Sequence, residues 1–516
     1  VFQTYKTKLQ NTNVLSSKGI TINTYEYYQQ FAKEFGRIER KLFVDLYVRG
    51  HNENQTKVRY CRLYDLTSRQ YNSIKRQLDG RVKACRELQK LYIKETTEKI
   101  IHLQGVIIKK MEQKEKAHEK LLQMNGKEKN FTKKVRSYRK QKHTIHQKKR
   151  RLYRLELKLK RLQEDEKNKK IRICFGSKEW FHKQFHLEEN KLTFKEWKQK
   201  WQEKRAAQFT FIGSSDEKNG NQTCMYDTDK HLRIRVDNQN ETTYGTHFTV
   251  PNVVFPYGQE QLDVAKIGRV GYTKGKGNKV TYYRALTFKF IREEDNWYLC
   301  ATVDVDMPDI QTIKGNGCIG IDCNANFLSV TETDRFGNPI HTFDVPFKGY
   351  NVSSEVAEQS LSVALKQVVE YALEKKKPIA YEDLDFKKKK LQLRESSKNG
   401  ARLLSGFYYS RYKELLQHKC LKVGVEAIPV NPAYTSQIGH TVFMKRYGLS
   451  SHGSAACVIA RRGMDLTFEK VPYACPLGYP KKFNRSMERK KQWASATKHW
   501  KKHTFQQKLY VLSKLG

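Results

Sequence analysis

Gly317-Cys318-Ile319-Gly320-Ile321-Asp322-Cys323-Asn324-Ala325-Asn326-Phe327-Leu328-Ser329-Val330 reads as an apolar strand with one acid at its centre, continued as a second strand. Carboxylates are seldom buried unless they are paired or bound to metal. A second short apolar strand, Pro378-Ile379-Ala380-Tyr381-Glu382-Asp383-Leu384, also ends in acids. Either acid alone is explained by a strand running out into a loop; two strands that each present a carboxylate read together as a metal site. Around them strands and helices alternate. The chain turns at Asp334-Arg335-Phe336-Gly337-Asn338-Pro339, and 340–345 returns as a strand. Over 352–376, Leu361, Leu365, Val368, Val369, Ala372 and Leu373 fall on one face, the stripe of a helix that covers a sheet. Pro378 stops that helix. A further helix is predicted over 407–420 and a strand over 423–430.

Four motifs then stand in order: Gly320-Ile321-Asp322-x-Asn324, Tyr381-Glu382-Asp383-Leu384, Asn431-Pro432-Ala433-Tyr434-Thr435-Ser436-Gln437, and His452-x-x-Ala455-Ala456-x-x-Ile459-Ala460-Arg461-Arg462-Gly463. Their order and spacing resemble the split RuvC nuclease of TnpB proteins, the transposon-encoded, RNA-guided nucleases related to type V CRISPR effectors. The motifs cover 317–463, and the preceding domains resemble the family in layout only. The resemblance implies a catalytic and metal-binding trio of Asp322, Glu382 and His452. Two divalent ions about 4 Å apart would activate water on one side of a phosphodiester and stabilise the leaving oxygen on the other. Asp322 would bridge both ions, with Glu382 and His452 each holding one. Magnesium is the implied metal. Manganese is the alternative that an imidazole donor suggests, since oxygen ligands suit magnesium and nitrogen suits it poorly. Guide RNA is the other implied cofactor, and duplex DNA with a short flanking motif the implied target, with a transposase encoded nearby as a further partner.

Two departures from the family pattern accompany the match. Many TnpB proteins carry a zinc ribbon after the Thr-Ser-Gln motif; here a short stretch without cysteine joins Gln437 to His452, so no zinc is expected. His452 also stands where the family has its third acid. Asp465, the nearest downstream acid, lies beyond the helix and substitutes poorly, and relatives of the RuvC fold use histidine near this position. The departure keeps a second reading open, a guide-programmed DNA-binding protein with an impaired nuclease that acts as a repressor or an accessory to transposition.

Composition agrees with a nucleic-acid partner. Lys and Arg number 99 against 54 Asp and Glu in 516 residues, a formal charge of +45, and nucleic acid is the default partner for such a field. A membrane is the other polyanion, but there is no run of 18 apolar residues and no amino-terminal signal pattern. The expected location is cytoplasmic, with the nucleoid of a prokaryote. Ten cysteines without a Cys-x-x-Cys pair read as reduced thiols.

The expected fold class is multidomain α+β. The resemblance implies that a first strand (1–20) belongs to a small antiparallel wedge barrel, that a helical recognition lobe (21–205) is inserted, that the barrel resumes (206–312) and that an RNase H-like α/β nuclease domain follows (313–470), with a basic segment, docked tail or basic arm, at 471–516. Tyr25, Tyr28, Phe31, Phe35, Ile38 and Leu42 form a helical stripe read as core. Thr67-x-x-Gln70 is a capping box opening a long helical region. Its second half carries Lys148, Lys149, Arg150 and Arg151 within a sustained one-signed run, read as a cradle for RNA or a heteroduplex. Trp180, Phe181, Phe185, Phe194, Trp197 and Trp201 are read mostly as core anchors of a small helical unit. A strand over 282–291 pairs with one over 297–305. Lys387 and Lys388 lie in a basic segment suited to the displaced strand. Tyr434, Thr435, Ser436 and Gln437 complete the nucleic-acid set with Arg461 and Arg462, which either contact phosphate or pin their helix to the sheet.

Overall fold

The structure, a computed structural model, describes residues 1–124, 130–272, 279–349, 352–383, 407–466, 468–472, 483–503, 506 and 507. Lys387 and Lys388, with the rest of the basic segment at 386–406, lie outside the described residues, as does most of the basic glycine loop at 274–279. The chain divides into two units, Val1–Val305 and Asp306–Gly516.

In the first unit the elements are β1 (Phe2–Lys8), β2 (Asn13–Leu15), β3 (Thr21–Asn23), α1 (Thr24–Phe43), α2 (Glu53–Leu63), α3 (Ser68–Leu122), α4 (Phe131–Lys167), α5 (Lys178–Lys183), α6 (Phe194–Arg205), β4 (Gln208–Phe211), β5 (Cys224–Tyr226), β6 (Leu232–Arg235), α7 (Asn238–Tyr244), β7 (His247–Val250), α8 (Gln259–Ala265), β8 (Arg269–Tyr272), β9 (Lys279–Tyr282), β10 (Thr287–Glu293) and β11 (Asn296–Asp304). Thr67 and Gln70 form the expected capping box: the Thr67 hydroxyl accepts from the Gln70 N–H at 3.2 Å, and the Gln70 side chain accepts from the Thr67 N–H at 2.9 Å. Two of the N–H groups that any helix start leaves unpaired are thereby satisfied. The aromatic stripe of α1 packs on the sheet, with Tyr28 5.1 Å from Phe290 and Phe31 4.9 Å from Phe209, ring centre to ring centre.

The amino-terminal strand does join the later strands. β1 runs antiparallel to β11 from Phe2↔Asp304 to Lys8↔Tyr298, in a sheet ordered β1-β11-β10-β4. The described strands nevertheless form separate sheets and not one closed barrel: besides this sheet there are β5-β6-β7 and the hairpins β2-β3 and β8-β9. One reason lies at 283–286, read from the sequence as part of one strand. There the backbone leaves the ladder, the Tyr283 N–H bonding the Ser215 carbonyl at 2.8 Å and the Leu286 N–H the Gly220 carbonyl at 3.1 Å. The small aromatic unit also differs from expectation. Trp197 is buried, but Phe181, Phe185 and Phe194 are exposed, because α5 and α6 are too short to enclose them all.

The second unit contains β12 (Ile319–Cys323), β13 (Phe327–Thr333), β14 (Pro339–Pro346), α9 (Ser354–Glu374), β15 (Ile379–Glu382), α10 (Phe407–Val423), β16 (Ala427–Val430), α11 (Thr435–Ile438), α12 (Ser451–Gly463) and α13 (Arg489–Trp500). Its sheet is ordered β14-β13-β12-β15-β16, with β14, β13 and β12 antiparallel and β12, β15 and β16 parallel. The helix α10 runs on to Val423 and Gly424 turns the chain at φ 74°, so the last strand starts later than the sequence suggests. Ile319, Ile321, Ile379 and Tyr381 point to one face and join Leu361, Leu365, Val368 and Leu416 of α9 and α10 in a buried core. The alternate residues face α12, whose Ile459 and Ala460 bury against Cys318, Ala380 and Val430. Part of the terminal segment docks: α13 buries Trp493 completely, and its indole N–H donates to the Glu469 carbonyl at 2.8 Å.

Gly320 sets the distance between sheet and helix. A Cβ there would lie 2.0 Å from the Ala456 carbonyl oxygen and 2.5 Å from the Ala460 nitrogen, both backbone atoms of α12. Gly320→Ala is therefore expected to push α12 off the sheet and lower stability by about 1–3 kcal/mol, the cost of overpacking. An unfolding midpoint equal to that of the wild type would contradict this packing.

Candidate metal centre and nucleic-acid interface

Register brings the two acids side by side. Parallel pairing of β12 with β15 runs Ile319↔Ile379, Gly320↔Ala380, Ile321↔Tyr381, and the next residues along the two strands are Asp322 and Glu382. The two-residue period of a strand puts both on the face of Gly320 and Ala380, beneath α12. His452 comes from the first turn of α12, which the Ser450 hydroxyl caps by accepting the Gly453 N–H at 3.0 Å. Its Nδ1 lies 2.9 Å from Asp322 Oδ2, and Asn324 Nδ2 donates to the same oxygen at 3.2 Å. Phe327 meets the imidazole edge-on, 5.2 Å between ring centres. Glu382 accepts from the Thr435 hydroxyl, which α11 presents from the Thr-Ser-Gln motif. The four motifs thus converge on one face of one sheet.

The hydrogen bond to Asp322 raises the pKa of His452, aided by the charges of Asp322 and Asp344, while burial opposes them. A second imidazole, which the sequence reading did not single out, stands beside it. His440 shares a hydrogen bond with Ser451, the neighbour of His452, and its pKa is lowered by burial and by His452. The signal available was a histidine in the short stretch between Gln437 and His452, which folds as a π-helical turn at Gly439–Met444.

Two carboxylates on adjacent parallel strands suit the oxygen demand of a divalent cation. The Asp322 side chain is 16% exposed and that of His452 47%, so solvent reaches the pair. With Nδ1 engaged on Asp322, the imidazole would offer a metal Nε2. Among the described residues the three donors gathered within 4.8 Å of one another are Asp227, Asp229 and His231, in the turn between β5 and β6; Asp322, Glu382 and His452 are not drawn that close. The chemistry of the two acids suits a metal, while His452 stands as a hydrogen-bond partner of Asp322.

The remaining residues separate into exposed and engaged. On α4, Lys149, Arg150 and Arg151 are exposed and Lys148 is half-buried, while α3 holds the helix through Gln89 Nε2, which donates to the Leu162 carbonyl at 3.3 Å. Ser436 is exposed, Gln437 is half-buried with its carbonyl accepting from Thr441, and Tyr434 adopts a left-handed backbone at φ 64° that turns Thr435 toward Glu382. Arg461 donates to Glu469 and to the Gly337 carbonyl, both at 2.8 Å. Arg462 donates to the carbonyls of Asn431 and Ala433 and stacks 4.4 Å from the centre of the Phe468 ring. Of the two roles open to this pair, these bonds describe the brace that ties α12 to the motif-bearing loop. An Arg461→Ala/Arg462→Ala variant is expected to lose at least about 2 kcal/mol of stability, since hydrogen bonds from charged groups are the strong ones. Loss of nucleic-acid binding at an unchanged unfolding midpoint would instead favour the phosphate role.

No helix among the described residues is long and apolar enough to cross a membrane. No protein-family model matches the chain, and no curated protein does. Among solved structures the chain is similar to T. thermophilus RuvC in complex with Holliday junction substrate, at 14% identity over 28% of this chain and 88% of that one, with a TM-score of 0.20. It is also similar to a CRISPR-Cas12f ternary complex, at 12% identity over 89% of this chain and 98% of that one, again with a TM-score of 0.20.

Proposed function

We propose that the chain is an RNA-guided, divalent-metal-dependent DNA endonuclease of transposon origin, its active site built on Asp322, Glu382 and His452. The observation that carries this reading is the placement of Asp322 and Glu382 next to each other on parallel strands, with His452 hydrogen-bonded to Asp322 from the helix above. Asp322 and Glu382 would hold magnesium or manganese, with His452 contributing through Nε2. Bound there, such ions activate water and stabilise the departing oxygen of a phosphodiester. Asn324 and Thr435 hold the two carboxylates in fixed orientations, which a metal site needs from its surroundings. Base pairing to a guide would read the target sequence, leaving the protein to read a short flanking motif and the shape of the heteroduplex. The charge of +45 and the exposed cations of α4 support a bound RNA, and a transposase encoded nearby is a further proposed partner.

The hydrogen bond between His452 and Asp322 also supports a second reading, a guided binding protein with an impaired nuclease, because it occupies an oxygen that a metal would take. The protein purified in mild salt is expected to carry RNA, visible after extraction and digestion. With a matched duplex, wild type is expected to cut better in manganese than in magnesium, and His452→Asp to gain in magnesium because oxygen is the harder donor. Activity confined to His452→Asp, with wild type binding its target and cutting in neither metal, would establish the binder in place of the nuclease. Protein free of RNA would overturn the guided mechanism.

A further inference from the structure

The first unit holds an excess of cations around a pocket that none of the site residues above uses. A cavity of about 450 Å³ opens where 172–176 passes over α3 and α6, lined by Arg81, Arg172, Lys204 and Arg205, by the single acid Glu39, and by Phe175 on its apolar side. Two of the cations are answered: Arg81 pairs with Glu39 at 3.2 Å, and Arg172 makes a two-pronged contact with Asp165 at 2.6 and 2.8 Å. Arg205 is not answered in this way, and its Nε is buried without a hydrogen-bond partner. The guanidinium is nonetheless held in place. Its carbon lies 5.6 Å from the centre of the Trp201 ring, and its stem is covered by Gly176, where a Cβ would come within 2.9 Å of Arg205 Cγ.

Arg40 and Lys289 crowd the same region. Arg40 is pushed down to about 10 by burial and then by Arg205, and Lys289 is lowered by burial and then by Arg81. Glu39, only 3% exposed, is the carboxylate these cations share. Like charges gathered in a half-enclosed space repel strongly, since water screens them less there than at the open surface. An anion entering the pocket removes that repulsion. Arginine is the side chain best shaped for phosphate, and a fixed guanidinium beside an aromatic wall is the usual form of such a site.

We propose that this pocket binds a phosphate group, with Arg205 and Lys204 as its principal contacts. The space matches a nucleotide-sized ligand better than a lone ion, for small-molecule pockets start near 300 Å³. Two sources share the chemistry, a free phosphate compound and the backbone of a bound strand. If the source is a strand, the site rests on the nucleic-acid reading above; if it is a free compound, it stands without it.

The test is phosphorus NMR of inorganic phosphate with the full chain, stripped of nucleic acid, as wild type, Arg205→Met and Lys204→Met. Methionine at 205 keeps the packing on Trp201 while removing the charge, and Lys204 is exposed, so that its variant folds even where the first does not. Wild type is expected to broaden the phosphate resonance, with the effect at least halved in each folded variant. A short single-stranded oligonucleotide that abolishes the broadening identifies the backbone as the source, and broadening that persists identifies a free phosphate compound. In the backbone case Arg205→Met also lowers the slope of log affinity against log salt by about 0.7, the share of one phosphate on a single strand. Equal broadening by wild type and Lys204→Met, or none by wild type, overturns the proposal.

Discussion

Asp322→Ala is expected to abolish cleavage of a matched duplex while leaving guide-dependent binding of the same duplex nearly intact. Glu382→Ala should do the same. On the proposed reading each removes a carboxylate that would hold the metal, and losing one preorganised electrostatic contact at a reacting centre slows catalysis by at least about 10²–10³-fold. Both acids stand at strand ends under α12, outside the core formed by Ile319, Ile321 and Tyr381, so their removal opens no cavity there. Binding measured by gel shift and cleavage measured on the same samples separate the two effects. Equal loss of both would mean that the acids hold the fold or the heteroduplex, and the metal reading would fail.

Lys377→Met is expected to produce the largest change in stability, about 3–5 kcal/mol, the scale for breaking a buried ion pair from one side. Lys377 and Glu332 are 7% and 6% exposed. The ammonium lies 2.5 Å from Glu332 Oε1 and also donates to the Thr333 carbonyl at 2.8 Å, while the Tyr371 hydroxyl donates to the other carboxylate oxygen. Burial pushes the Glu332 carboxyl up, but the hydrogen bonds from Lys377 and Tyr371 outweigh it and the net pKa is lowered. A lowered carboxylate contributes stability that is present above its unfolded value, about 4.3, and lost as pH falls through the folded one. In the variant the unpaired acid is raised instead, so its penalty is full at neutral pH and fades on acidification. The difference between wild type and Lys377→Met in urea unfolding should therefore shrink steadily from pH 7 toward pH 4. A difference that stays constant over that range would show that lost packing, and not the pair, sets the effect.

What could be read in advance divides along local and distant interactions. The capping box at Thr67 and Gln70 and the buried stripe of α1 depend on residues a few positions apart, and both are found as expected. The motif at 452–463 supplies Ala456 and Ala460, whose backbone approaches the sheet closely at Gly320. Strand partnership is not local. The separate sheets of the first unit depend on bonds such as Leu286 to Gly220, which no alternation pattern encodes. The pair Lys377–Glu332 was invisible for the same reason, its members being 45 positions apart in the chain. At the candidate site, two strands ending in acids pointed to Asp322 and Glu382 and the family resemblance added His452, but the hydrogen bond between His452 and Asp322 joins residues 130 positions apart and follows from the packing of α12 on the sheet. His440 was missed because a histidine in a polar connection looks like any other until the turn at Gly439–Met444 carries it in.

The measurement that bears most directly on the central claim is cleavage of a duplex matched to the RNA that co-purifies with the wild-type chain, assayed in magnesium and in manganese beside a mismatched duplex. Cutting of the matched duplex that needs one of these metals, with the mismatched duplex left intact, is the predicted result. Binding of the matched duplex without cutting in either metal would contradict it.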